Sequence, residues 1–251
     1  MKELAASLCS AVIFYTVIPV PFTWANSWKR IARWGSSIGL LLGGLLGLSD
    51  KLLQLGGFSE LVRGAVVTAL WLGITGGLHL DGAMDAADGL GVVEPSRRLE
   101  VMKDSATGAY GAMVAVIILL LKTVFLSGNT EMTWLFLILA MGWGRWGQLI
   151  AIALYPYLRA TGKGAFHKEN IKIYPDIFLS SAVILLPSIY LLFLVAIEWW
   201  KILVIISGCG AIAISTGYYF YYRFQGHTGD TYGATVEWSE VLILFWLNGI
   251  Y

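Results

Sequence analysis

Seven apolar runs, near residues 35–56, 62–80, 110–127, 132–155, 178–197, 199–222 and 238–251, dominate this chain. Most approach the length needed to cross about 30 Å of hydrocarbon, though some are short. Lipid offers backbone N–H and C=O groups no partner, so such segments must close their hydrogen bonds internally as helices. The expected architecture is therefore a single all-α domain over residues 1–251, a polytopic transmembrane bundle of about seven spanning helices. Residues 4–20 form a further apolar stretch behind Lys2, interrupted by Pro19 and Pro21. No small-x-small cleavage site follows, so this stretch is expected to be retained. A short span, a re-entrant element and an interfacial helix all suit it, which leaves the helix total open by one.

Composition agrees with a bilayer environment. The chain is 57% hydrophobic and 13% charged, with eleven Trp and twenty-nine Gly, and its mean hydropathy is +0.72, outside the range of an ordinary soluble domain. Gly39, Gly43, Gly44 and Gly47 sit in one run, where small residues let helix backbones approach closely. A net charge of +1 without a basic stripe excludes nucleic acid as partner. Cys9 and Cys209 have no metal or redox spacing. Basic residues gather at Lys29, Arg30 and Arg33, at Arg97, Arg98 and Lys103, at Arg159, Lys163, Lys168 and Lys172, and at Arg223. These connections alternate with poorer ones near 50–61, 128–131 and 198–201, so the basic side is predicted to be cytoplasmic, together with every polar motif.

Asp81, Asp85 and Asp88 lie at i, i+4, i+7 in Gly76–Gly89, a spacing that places them along one stripe of a helix. Three like charges so close repel one another unless a cation neutralises them, and magnesium is the natural hard, oxygen-seeking candidate. A second cluster, Arg97–Gly111, brings Lys103, Asp104, Ser105 and two glycines together. Gly-rich turns and helix N-termini of this kind bind phosphate, although Ser105 or Thr107 could simply cap the next helix. The third cluster, Gly226–Glu240, carries His227, Asp230 and Glu237, with a capped helix start as the plain alternative. Arg145 stands inside an apolar span and needs a partner, either a carboxylate of the aspartate motif or an anionic substrate. Acid-held magnesium beside phosphate-binding loops, with no nucleophilic triad or thiol, points to phosphoryl or nucleotidyl transfer.

Thr75–Leu90, the Met102–Ser105 loop with Gly108 and Gly111, the segment Gly226–Glu240 and Thr16–Pro21 together resemble the cobalamin synthase family, adenosylcobinamide-GDP ribazoletransferase. The likeness spans essentially the whole chain. It implies a magnesium-dependent enzyme of the prokaryotic cytoplasmic (inner) membrane, acting late in cobalamin assembly. Its substrates would be adenosylcobinamide-GDP and α-ribazole, or α-ribazole 5'-phosphate, and GMP would be released. The resemblance carries the positions, whereas chemistry suggests the roles. Asp81, Asp85 and Asp88 are expected to hold Mg²⁺ on the diphosphate. Lys103, Ser105 and Arg159 would contact phosphates, while Asp230 and Glu237 complete the metal site or orient ribazole. His79, His227, Asp85 or Asp104 would accept the hydroxyl proton. Membrane lipid and other cobalamin-assembly enzymes are the expected neighbours, with the oligomeric state open.

Two other classes share parts of the pattern. CDP-alcohol phosphotransferases have similar acid spacing, but this chain lacks their Asp-Gly-x2-Ala-Arg start. A cation-coupled transporter would also use membrane carboxylates, although here the acids sit beside basic loops.

Overall fold

A computed structural model of the chain describes residues 2–128, 131–160 and 162–250. Residues 129 and 130 of the expected charge-poor connection, Thr161, and the side chain of Lys163 lie outside the described part. Eleven α-helices follow one another among the described residues: α1 Lys2–Tyr15, α2 Gly35–Leu55, α3 Glu60–Thr75, α4 Leu78–Gly91, α5 Arg98–Val101, α6 Ala109–Ser127, α7 Thr133–Leu154, α8 Lys163–Asn170, α9 Ile173–Leu194, α10 Trp199–Phe224 and α11 Gly229–Ile250. The only β-type pairing among them is an isolated bridge between Tyr157 and His227.

Five of these segments are long and apolar enough to cross a membrane: Ile31–Leu55, Ala109–Ser127, Thr133–Leu154, Ile173–Leu194 and Trp199–Phe224. A sixth is counted only if α3 and α4, bent by 91° at their junction, form one broken span. The expected count of about seven is thus five or six by this measure. The physical reasons are local. The run expected over 62–80 stops at Thr75, because Gly76 and Gly77 both adopt positive φ, 61° and 68°, a left-handed pair that turns the chain and is costly for other residues. The run expected over 238–251 is the second half of α11; Asp230 and Glu237 lie in the first half, and Glu240 lies inside the run itself. α1 and α4, of 14 residues each, are only about 21 Å long and too short to span.

The core is built on α7. Almost all of it is buried, and α2 packs along it through a glycine seam. A Cβ on Gly43 would lie 2.5 Å from Ile138 Cα, and one on Gly47 would lie 2.8 Å from Trp134 Cβ. Only hydrogen fits there, which is how small residues give helices close backbone contact without a hydrophobic drive between them. Gly44, expected to share this role, has nothing within 4 Å of a Cβ.

Charged groups inside the bundle are paired. Arg145 of α7, 1% exposed, donates to Glu240 at 2.7 Å; Lys122 of α6 reaches Glu240 at 2.7 Å and Glu237 at 2.8 Å. The Lys122 ammonium also lies 3.8 Å from the Trp71 ring centroid, so α3, α6, α7 and α11 meet on one ionic network. Arg145 therefore pairs with a carboxylate outside the aspartate motif. Asp50 and Arg63 form a second buried pair at 2.7 Å, between α2 and α3.

The connections at one end of the bundle bond to one another. Arg30 pairs with Asp176, Arg98 donates to the Arg223 carbonyl at 3.0 Å, and Arg159 donates to the Met102 carbonyl at 3.2 Å. The four connections that the basic residues mark are thereby one surface.

Candidate functional site

α4 and α11 cross where each carries a glycine. A Cβ on Gly82 would sit 2.7 Å from the Asp230 carbonyl oxygen, and one on Gly233 would sit 2.9 Å from that of His79. The two acid-bearing helices touch backbone to backbone at this point. Beside the crossing lies a cavity of about 230 Å³, with His79, Asp81, Tyr157, Arg159, His167 and Asp230 in its wall.

Local sequence explains how the α11 side is set. Thr228 caps the helix, its hydroxyl accepting from the Thr231 N–H at 3.3 Å, as a Thr at N-cap does. Its hydroxyl also donates to Asp230 at 3.3 Å. Arg159 bridges that carboxylate at 2.8 Å and the Met102 carbonyl. The expected cap and the expected acid thus act together. A cation from the 155–164 connection ties the acid of α11 to the loop after α5.

Asp81 and Asp230 face the cavity, and Asp85 senses both. Its carboxyl is pushed up to about 6, first by burial, then by the negative charge of Asp230 and Asp81, with Arg159 opposing. Asp230 is also held above the ordinary carboxylate range, mainly by burial, against the pull of Arg159. The acids outnumber the cation, so an added positive charge would relieve them. Among the described residues no group of three or more His, Cys, Asp or Glu is placed to hold a metal ion by itself. A divalent cation there would have one or two carboxylates and would need substrate phosphates and water to complete its shell. Asp81 and Asp230, both in the cavity wall, are the carboxylates available to such a cation.

Asp88 departs from the expected trio. Its two oxygens accept the Gly108 and Gly111 N–H groups at 2.8 and 2.9 Å, so it caps α6 and ties it to α4. Glu237 lies in the buried network with Lys122 rather than in the cavity wall. His227 is fully buried: Nδ1 meets the Thr231 hydroxyl at 3.0 Å, and the ring stacks on Tyr232 at 5.0 Å. Its backbone pairs with Pro156 and Leu158, which pins the 155–158 connection to the start of α11. Lys103, Asp104 and Ser105 lie on an exposed loop outside the cavity wall, where Asp104 accepts the Ala106 N–H at 3.0 Å. Met102, through Arg159, ties this loop to the site.

His167 and Tyr157 were not legible as site residues. Each stands in a polar connection without periodicity, and folding alone turns them inward.

Comparison with known proteins identifies the family. The family model for cobalamin-5-phosphate synthase matches residues 7–248. A protein of Synechocystis named adenosylcobinamide-GDP ribazoletransferase is 51% identical over 96% of this chain and 94% of its own length. Proteins of the same name from Trichormus variabilis and Desulfitobacterium hafniense are 50% and 35% identical, covering 97% and 93% of both chains. No solved structure matches. With matches of this extent, the chain belongs to the cobalamin-5-phosphate synthase family, enzymes of cobalamin synthesis whose curated members bear the name adenosylcobinamide-GDP ribazoletransferase.

Proposed function

We propose that the chain joins adenosylcobinamide-GDP to α-ribazole, or to α-ribazole 5'-phosphate, releasing GMP and giving adenosylcobalamin or its 5'-phosphate. The observation that carries this reading is the meeting of Asp81, Asp230 and Arg159 in one cavity at the α4–α11 crossing. Excess carboxylate with one well-placed guanidinium suits a diphosphate that arrives with its metal.

Asp81 and Asp230 would hold Mg²⁺, with Asp85 beside them, and the ion when bound would neutralise the diphosphate and the departing GMP. Arg159 exchanges its bond to Asp230 for a substrate phosphate, a charge-assisted contact that orients the diphosphate. The Asp230 carboxylate is freed by the same exchange. Asp88 keeps the α6 N-terminus against α4, and His227 keeps Arg159's connection in register; both position the site from outside it. The cavity opens at the end of the bundle that carries the basic connections, which in this reading faces the cytoplasm of a prokaryotic inner membrane. There corrinoid could be exchanged with other assembly enzymes at the lipid surface.

Membranes containing the protein, supplied with adenosylcobinamide-GDP, α-ribazole and Mg²⁺, should release GMP and corrinoid product in equal amounts. Omission of Mg²⁺ or of α-ribazole should stop both. GMP release that is indifferent to α-ribazole would count against transfer.

A further inference from the structure

The cavity wall contains a histidine that makes no polar contact among the described residues. His167, on α8, is 4% exposed, and neither ring nitrogen has a hydrogen-bond partner. Aromatic rings fix its position: Phe14 meets it edge-on at 4.7 Å, Tyr15 stacks at 6.3 Å and Phe166 lies at 5.9 Å. Buried polar atoms are normally satisfied, and exceptions gather where a ligand or water completes them. His79 Nε2, the Tyr15 hydroxyl, and Arg145 Nε and Nη2 are likewise buried without protein partners. His79 and Tyr15 are ring neighbours at 5.9 Å. Of these, His79 and His167 line the cavity, so two imidazoles there keep ring nitrogens uncommitted.

Transfer needs a group to receive the hydroxyl proton, and most candidates are engaged elsewhere. Asp230 holds Arg159, Asp88 holds the start of α6, and His227 holds Thr231 outside the cavity wall. Asp104 is exposed on its loop. Asp81 faces the metal in the reading above with Asp85 beside it, and His79 lies where burial and the positive charges of Arg145 and Lys122 oppose its protonation. His167 is free of all these ties.

We infer that His167 is the general base: a ring nitrogen takes the proton of the ribazole hydroxyl as that oxygen bonds to the phosphorus on the cobinamide arm. This assignment rests on the transfer reading. The new P–O bond forms as the bond from that phosphorus to the GMP phosphate oxygen breaks. The electron pair leaves with GMP, and the proton passes from His167 to solvent on product release. Burial holds the imidazole neutral, its pKa lowered to about 4, so a lone pair is present at neutral pH. The negative charge of the arriving diphosphate raises its basicity in the complex.

The test compares wild type, His167→Gln and His167→Ala in membranes, following GMP and corrinoid product at saturating Mg²⁺. The Gln variant keeps a polar side chain of similar reach. It should lose on the order of 10²–10⁴-fold in kcat with KM for both substrates unchanged, the usual contribution of a general base. Added imidazole should restore turnover to the Ala variant, a response that a purely structural histidine would not give. Wild-type turnover in His167→Gln, or a loss of activity that imidazole leaves unchanged in His167→Ala, would overturn the assignment while leaving ribazole transfer standing. Failure of wild type to make product would overturn the transfer reading itself.

Discussion

At the scale of single residues, side chains of the same type do different work according to what packs against them. Asp81 and Asp88 lie on one helical stripe, yet one faces the cavity and the other accepts two N–H groups from α6. Asp88→Ala is expected to cost about 1–2 kcal/mol, as the loss of a helix cap does, and to lower the melting temperature in detergent. Asp230→Asn should leave the melting temperature near wild type and reduce kcat on the order of 10²-fold or more, as expected for a lost electrostatic contact to the transition state. Arg159→Ala should raise KM for adenosylcobinamide-GDP about tenfold, the worth of a charge-assisted hydrogen bond. Steady-state GMP release measures both, and a converse pattern, with Asp88 controlling rate and Asp230 controlling stability, would defeat the assignments. The carboxylate stripe was legible because spacing alone sets it. The fate of Asp88 was not, since the amides that claim it belong to the start of α6, about twenty residues further on.

At the scale of elements, glycines decide how closely helices approach, and only some in a run are used. Gly43 and Gly44 are neighbours, but a Cβ on Gly43 overlaps α7 whereas one on Gly44 meets open space. Gly43→Ala is therefore expected to destabilise by about 1–3 kcal/mol, the cost of overpacking. Gly44→Ala should be neutral or slightly stabilising. Thermal unfolding of the pair in one detergent distinguishes them, and equal effects would refute the seam. Gly82→Ala acts on the α4–α11 crossing instead, so it should depress kcat beyond its effect on stability by parting Asp81 from Asp230. The seam was readable as a composition, but which glycines face α7 depends on the rotation of α2.

At the scale of the whole molecule, two features need the complete bundle. The network of Arg145, Lys122, Glu237 and Glu240 joins residues up to 118 positions apart. Lys122→Met would leave two buried carboxylates with one remaining cation, and a loss of about 3–5 kcal/mol is expected from breaking a buried pair. Survival of a fully stable Lys122→Met protein would show that the network is dispensable. The second feature is the gathering of the basic connections at one end. With Cys9 and Cys209 replaced, a Cys at Ser96 should react with an impermeant maleimide from the cytoplasmic side only, and a Cys at Ser59 from the opposite side. The reverse labelling would invert the orientation.

The amino-acid sequence by itself determined the helical class, because apolar runs of this length have no other way to satisfy their backbones in lipid. It also determined the acid stripe on α4 and the side on which charge collects, since periodicity and loop composition are local properties. Only the tertiary structure decided which acids share a cavity, that Arg145 pairs with Glu240, and that His167 faces inward. Those outcomes depend on crossing points such as Gly82 against Gly233, where helices distant in sequence meet, and no local pattern along the chain encodes the angle at which they do so.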